Sequence, residues 1–313
     1  MPRKHTLEEI FESLRRLRSS PVTAESIDEL KRVIAKEGSH AVARAAAIVG
    51  ELELASLAPD LTAAFDRFMN DPLKNDKGSV AKTAIAEALV RLGHDDEKLY
   101  LRGIRHVQME PTYGGRVDTA SGLRSACAFG LAHTHYPGTL VELAHALADP
   151  EPAVRGSAAR AVAVDGRDAG VPLLHLKAVT GDAEPHVLTD CLVALLALAP
   201  EASVPFAAGF LDSRDTAVAE AAALALGESR REAAFTVLRD WFVRGLPAGL
   251  RRTALLAIAM LRRDEGIDFL LGVVKEGATG PARDAVAALG IYRDNPSVGE
   301  RLREAAQGRS DLE

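Results

Sequence analysis

The feature that most constrains this chain is an internal repeat. Apolar stripes begin at Ala41, Val80, Leu123, Val154, Val187, Val218, Leu250 and Pro281, separated by 39, 43, 31, 33, 31, 32 and 31 residues. Four residues after each start stands a small side chain: Ala45, Ala84, Cys127, Ala158, Cys191, Ala222, Ala254 and Ala285. Eight residues after it the chain is apolar again, at Val49, Ala88, Leu131, Val162, Leu195, Leu226, Ile258 and Leu289. Residues at i, i+4 and i+8 share one face of an α-helix, so each repeat opens with an amphipathic helix. Second apolar segments follow after short breaks, as in Gly170 to Val179, Ala202 to Leu211, Glu232 to Phe242 and Gly266 to Val274. The unit is therefore a helical hairpin of about 32 residues, too thin to cover its own stripe, and neighbouring hairpins must stack to share a core. Composition agrees with this reading. Ala (55) and Leu (40) make up almost a third of 313 residues while only 4% are aromatic, as close backbone approach through a small central slot requires.

The stretch Asp149 to Val164, DPEPAVRGSAARAVAV, resembles the first-helix pattern of the HEAT-repeat family: Asp-Pro, then Val-Arg, then Ala-Ala. Val218 to Gly227 and Pro281 to Gly290 carry the Ala-Leu-Gly ending of that pattern. The Arg155 position becomes Leu188 and Ala219 in later units, which argues against a ladder of stacked arginines. The resemblance runs from about Ser39 to the C-terminus and implies an all-α, right-handed α-solenoid of eight to nine antiparallel helix pairs, a HEAT-like or ARM-type superhelix. Residues 1–38 read as an N-terminal capping pair. Thr6 with Glu9 makes a capping box for the first helix, and Pro21 to Lys36, closed by Gly38, gives the second. Residues 39–313 are expected to form one continuous solenoid.

Several classes of function are excluded at this level. No window approaches 18 uninterrupted apolar residues, so no membrane partner is expected. Two cysteines cannot make a disulfide framework, and Met1 to Thr6 has no apolar run of the signal-peptide kind, so a cytoplasmic location is expected. A net charge of −6 and near-neutral second helices oppose nucleic-acid binding. Cys127 and Cys191 occupy the small buried slot and read as alanine substitutes.

Two spacings are long, and insertions are where a repeat scaffold carries added purpose. The first, Asn70 to Ser79, reads as a plain polar connection. The second, within QMEPTYGGRVD (108–118), is expected to be a loop between a helix ending near Val107 and one starting near Thr119. The surrounding stretch, 94–145, holds five of the nine His and three of the four Tyr. Glu110, Tyr113, Arg116 and Asp118 are the leading binding candidates, joined by His106 and His133. Asp118 or Thr119 also suits the N-cap of the next helix. Gly114-Gly115 is not a phosphate loop, because no GxxxxGK[ST] sequence is present. His133 and His135 would chelate one metal with His106 or Glu110 only if the helix unwound there, because residues two apart on a helix diverge, and histidines at a helix end more readily meet the last carbonyls. No metal and no cofactor is expected. Of the adjacent aromatics Trp241 and Phe242, one is expected in the core.

These residues point first to a non-catalytic interaction scaffold, binding a protein or peptide partner through the concave solenoid face and the 108–118 loop. The alternative is a small-ligand protein or enzyme using the 94–145 region. Some HEAT-like proteins that this chain resembles are bilin lyases or alkylpurine DNA glycosylases. No recognised catalytic motif is present in the sequence.

Overall fold

The computed structural model describes residues 6–312 and is all-α apart from one small hairpin. The chain divides into two compact units, 1–165 and 166–313. The first contains α1 (Leu7–Ser19), α2 (Ala24–Lys36), α3 (Ser39–Glu51), α4 (Ala58–Met69), the short α5 (Pro72–Asn75), α6 (Val80–Arg91), α7 (Glu97–Ile104), α8 (Ser121–His133), α9 (Thr139–Ala146) and α10 (Pro152–Asp165). Between α7 and α8 lie β1 (Met109–Thr112) and β2 (Gly115–Asp118). The second unit contains α11 (Val171–Thr180), α12 (Pro185–Leu198), α13 (Pro200–Ala208), α14 (Thr216–Glu228), α15 (Glu232–Val243), α16 (Ala248–Met260), α17 (Asp264–Glu276), α18 (Thr279–Leu289) and α19 (Pro296–Ala306). Apart from α5, the helices within each unit follow one another in the alternating first-and-second order of helical hairpins expected from the repeat. Among the described residues no helix is long and apolar enough to cross a membrane.

The first helices of successive pairs pack along most of their length: α3, α6, α8 and α10 in one unit, α12, α14, α16 and α18 in the other. Second helices touch one another far less. The slot residues explain the close layer. The eighth-position residues are buried in all eight repeats, and the fourth-position residues in seven. The exception is α6, where Ala84 is half-buried and the buried stripe runs one residue on, through Ala81, Ile85 and Leu89. A Cβ added at Gly50 of α3 would lie 3.1 Å from the Ala88 Cα of α6, and one at Gly227 of α14 would lie 2.6 Å from the Ala257 carbonyl oxygen of α16. A larger residue at Gly227 would force the backbone of α16 to shift, and one at Gly50 would need α6 to yield by a few tenths of an ångström.

The predicted ends are present. Glu9 N–H donates to Thr6 Oγ1 at 3.3 Å and Thr6 N–H donates to Glu9 Oε2 at 2.8 Å, completing the capping box of α1. Trp241 is 2% exposed and belongs to the core, while Phe242 stays half-exposed at the rim and packs edge-on against Phe269.

Candidate functional site

The 108–118 insertion is a β-hairpin rather than an open loop. Met109 pairs with Asp118, Glu110 with Val117, Pro111 with Arg116 and Thr112 with Gly115 in an antiparallel register. Gly114 closes the turn at φ +97°, in the region that favours glycine. The strands continue to Asp118, so α7 ends earlier than expected, at Ile104, and α8 starts later, at Ser121 behind Ala120. Asp118 is consequently not the N-cap of α8. Its Oδ1 instead accepts from the N–H groups of Ala120 and Gln108, both at 3.0 Å.

A ten-residue hairpin has no core of its own, and a polar framework beneath it does the holding. Lys82 of α6 is fully buried, at 0% exposure, in a stripe otherwise made of apolar residues. Its Nζ donates to Gln108 Oε1 at 2.8 Å and pairs with Asp76 Oδ2 at 3.2 Å, itself fully buried. Burial pulls the Lys82 ammonium below the usual lysine range, while the Asp76 charge opposes that shift. Asp76 also accepts the N–H groups of Ala81 (2.9 Å) and Lys82 (3.1 Å), so one carboxylate caps the start of α6 and neutralises the lysine. Gln108 then ties the hairpin to this pair, its Nε2 donating to the Asp76 carbonyl at 2.8 Å and to Glu110 Oε1 at 2.7 Å. The same Glu110 oxygen accepts from Gly78 N–H at 2.6 Å and Thr119 Oγ1 at 2.8 Å. The Gln108 amide and Gly78 N–H hold the Glu110 carboxyl below its ordinary value.

Asp76 and Gly78 lie in the first insertion, so 70–79 is not the plain connection the sequence suggested. It is the seat of the hairpin. Its backbone is correspondingly special, with Asp71 and Ser79 at φ +50° and +54° and Gly78 at +73°.

A second buried cation lies behind β2. Arg124 of α8, 3% exposed, donates from Nη1 to Asp118 Oδ2 (2.6 Å) and to the His106 carbonyl (3.0 Å). Its Nε and Nη2 form a bidentate pair with Asp149 at 2.8 and 2.9 Å. Burial pushes the Asp118 carboxyl up, but the bonds from Ala120, Gln108 and Arg124 outweigh it and leave the group below its usual range. Arg105 likewise chelates Glu142 with both Nε and Nη2. A cleft of about 400 Å³ opens here, walled by Ile104, Val107, Arg124, Glu142, His145 and Asp149 among others.

Of the six sequence candidates, Glu110, Asp118 and His106 converge through Gln108. Asp118 accepts the Gln108 N–H, and His106 Nε2 is 3.3 Å from Gln108 Oε1. Burial lowers the His106 pKa. Tyr113 projects fully exposed at the turn, and Arg116, also exposed, donates from Nη2 to the Met109 carbonyl at 2.9 Å. His133 ends α8, twelve residues past its start and thus about 18 Å further along the axis, and does not join the group. Among the described residues no three His, Cys, Asp or Glu side chains gather to hold a metal ion. The sequence reading missed Asp76, Lys82, Gln108, Arg124, Asp149, Arg105 and Glu142. A lysine in the apolar stripe of α6 was the signal available for the first two.

Besides the exposed Thr112 and Arg116, the hairpin and its surroundings expose several apolar side chains. Val107 (58% exposed), Met109 (38%), Tyr113, Val117 (44%) and Val141 (59%) account for five of the thirteen large hydrophobic residues exposed among those described. All five fall within 107–141, and Val141 adjoins Glu142, the partner of Arg105 in the cleft.

No protein-family model matches the sequence, and neither does any curated protein. Among solved structures, the chain is similar to the complex of CpcE and CpcF of phycocyanin lyase from a Nostoc species, with 17% identity, coverage of 77% of this chain and 92% of that one, and a TM-score of 0.40. It is also similar to human deoxyhypusine hydroxylase in complex with glycerol, with 17% identity, 83% and 92% coverage, and a TM-score of 0.31.

Proposed function

We propose that the chain is a non-catalytic interaction protein that binds a protein or peptide partner through the hairpin and the adjoining surface of its first unit. The observation that carries this reading is the set of exposed apolar side chains that the seated hairpin and its flank carry: Val107 before β1, Tyr113 at the tip, and Met109 and Val117 on its two faces. Exposed apolar side chains concentrated on one short insertion mark a contact site. A rigidly seated aromatic tip also offers contact area at small entropic cost. A concave face of stacked helices, the other surface expected from the sequence, fits too many partners to discriminate between them.

The second reading, a small-ligand protein or enzyme, is favoured by the cleft beside the hairpin. Its charged groups argue for the weaker rank: Arg124 is taken up by Asp118 and Asp149, and Arg105 by Glu142. Cys127 is buried beneath α7 and is no nucleophile there. One experiment separates the two. The triple variant Met109→Ser, Tyr113→Ser, Val117→Ser is compared with the native chain in affinity capture and in a thermal-shift screen of small organic acids and tetrapyrroles. The scaffold reading expects an unchanged melting temperature and loss of captured partners. A small molecule that raises the melting temperature of both proteins equally, and loses that effect in Arg105→Ala, would favour the cleft.

A further inference from the structure

Resting on the partner-binding reading above, we propose that the outer edge of β2 accepts an extended segment of the partner as a third strand. In an antiparallel pair, residues that exchange backbone hydrogen bonds alternate with residues whose N–H and C=O point away from the neighbouring strand. The bond from Thr119 N–H to the Gln108 carbonyl, 2.9 Å, sets the phase of this alternation. Counting from it through the observed register, Glu110–Val117 and Thr112–Gly115 are the bonded pairs. Met109–Asp118 and Pro111–Arg116 are the outward-facing ones.

The two edges are not equivalent. On β1 two of the four outward positions are lost: Pro111 has no N–H to offer, and the Met109 carbonyl already accepts Arg116 Nη2 at 2.9 Å. On β2 the outward N–H and C=O of Arg116 and Asp118 have no hydrogen-bond partner among the described residues, and the sheet has only these two strands. A chain that protects one edge with proline and a guanidinium while leaving the other open carries a template for strand addition.

The side chains specify what is added. Arg116 and Val117 are exposed on opposite faces of β2. An acidic residue placed across from Arg116 would draw its guanidinium off the Met109 carbonyl and across to the added strand, and the neighbour across from Val117 is best β-branched or aromatic. The occupant is thus an extended, proline-free segment of at least four residues with an acidic side chain next to a β-branched or aromatic one. Two outward residues on β2 provide four backbone hydrogen bonds for it.

The test uses the full chain and a displayed library of linear twelve-residue peptides. The strongest selected sequence is then synthesised and measured by fluorescence anisotropy and by amide exchange. The expected result is enrichment of acidic/β-branched alternation, and slowed exchange at the Arg116 and Asp118 amides on binding. Arg116→Pro, which removes one outward N–H, should weaken binding by about tenfold or more. Arg116→Ala, which keeps that N–H, should stay within about threefold. Unchanged exchange at both amides in the native chain, or equal binding by the proline variant, overturns strand addition. If binding is then still lost in the Met109/Tyr113/Val117 serine variant, the partner-binding reading survives without it. Selection of no peptide overturns both. A concentration-dependent dimer abolished by Arg116→Pro would assign the edge to a second copy of this chain and overturn the peptide.

Discussion

Replacing Lys82 with methionine tests the buried framework most directly. The Nζ–Oδ2 separation of 3.2 Å corresponds to a Coulomb attraction of about 5 kcal/mol at an effective dielectric near 20, against which stands the cost of drying both ions. The net worth of such a pair is small, but removal of one partner strands the other. Lys82→Met preserves the length and packing of the side chain while leaving Asp76 charged, 0% exposed and without its cation. Losses of this kind are about 3–5 kcal/mol. The lower end, about 3, is expected here because Asp76 retains the N–H groups of residues 81 and 82. For a unit of 165 residues this lowers the melting temperature by about 6–12 °C. The assay is urea and thermal unfolding followed by far-UV circular dichroism, with amide exchange locating the change in 76–82 and the hairpin. Adding Asp76→Asn removes the stranded charge, so the double variant should be more stable than Lys82→Met alone. A loss below about 1 kcal/mol, or a double variant destabilised by the sum of the single changes, would refute the framework's role in seating the hairpin.

Other expectations follow from the same geometry. Ala222, 0% exposed in the central slot of α14, has no room for growth, so Ala222→Leu should cost about 1–3 kcal/mol by denaturant titration and Ala222→Trp should prevent folding. The folded His106 pKa lies below the ordinary histidine value of 6.5, so unfolding takes up a proton as the pH falls. Its contribution is complete above about pH 6.5 and is lost as the pH falls through the folded pKa, and His106→Gln should flatten that part of the stability–pH curve. The Glu110, Asp118 and Glu142 carboxyls, all lowered, withdraw stability only at more acid pH, below their ordinary values of 4.5, 3.8 and 4.5. Both thiols are buried, with the Cys191 pKa pushed up to about 12 by desolvation, so a thiol reagent at pH 8 should modify neither cysteine in the native chain and both in urea.

The helical stack was legible because its cause is periodic. A small residue every four positions between apolar neighbours is visible without coordinates, and Ala45, Cys127, Ala222 and their equivalents are buried where the stripe put them. The single slip, Ala84, falls in the helix that follows the first insertion and Ser79 at positive φ, where the buried stripe runs one residue on through Ala81, Ile85 and Leu89. The hairpin was half legible. Gly114-Gly115 marks a turn, but flanks as short as Met109–Thr112 and Gly115–Asp118 carry too little alternation to declare strands. Glu110 and Asp118 stood out in the sequence as members of the insertion, but nothing in the sequence shows that Gln108, thirty-two residues from Asp76, would tie them to a buried lysine. Long-range polar contacts leave no period in the sequence, only a misplaced residue such as Lys82 in an apolar stripe.

That misplaced residue also explains why the seat of the hairpin is polar. An apolar contact between two short insertions would hold them loosely and in several registers, since methyl groups slide past one another with little change in energy. The Asp76–Lys82–Gln108–Glu110 chain fixes both position and direction: Gln108 must present its oxygen to Lys82 and its amide to Asp76 and Glu110 at once. Shifting the hairpin by one residue would turn Glu110 away from Gly78 and set Pro111 in its place, leaving the buried amide unpaired. The energetic return of such a chain is modest, and its product is orientation. A stacked-helix protein needs no oriented hairpin to stay folded, because α7 and α8 pack on each other whatever joins them. The polar seat therefore fixes where the exposed Met109, Tyr113 and Val117 stand, which is the property a partner-binding surface would need.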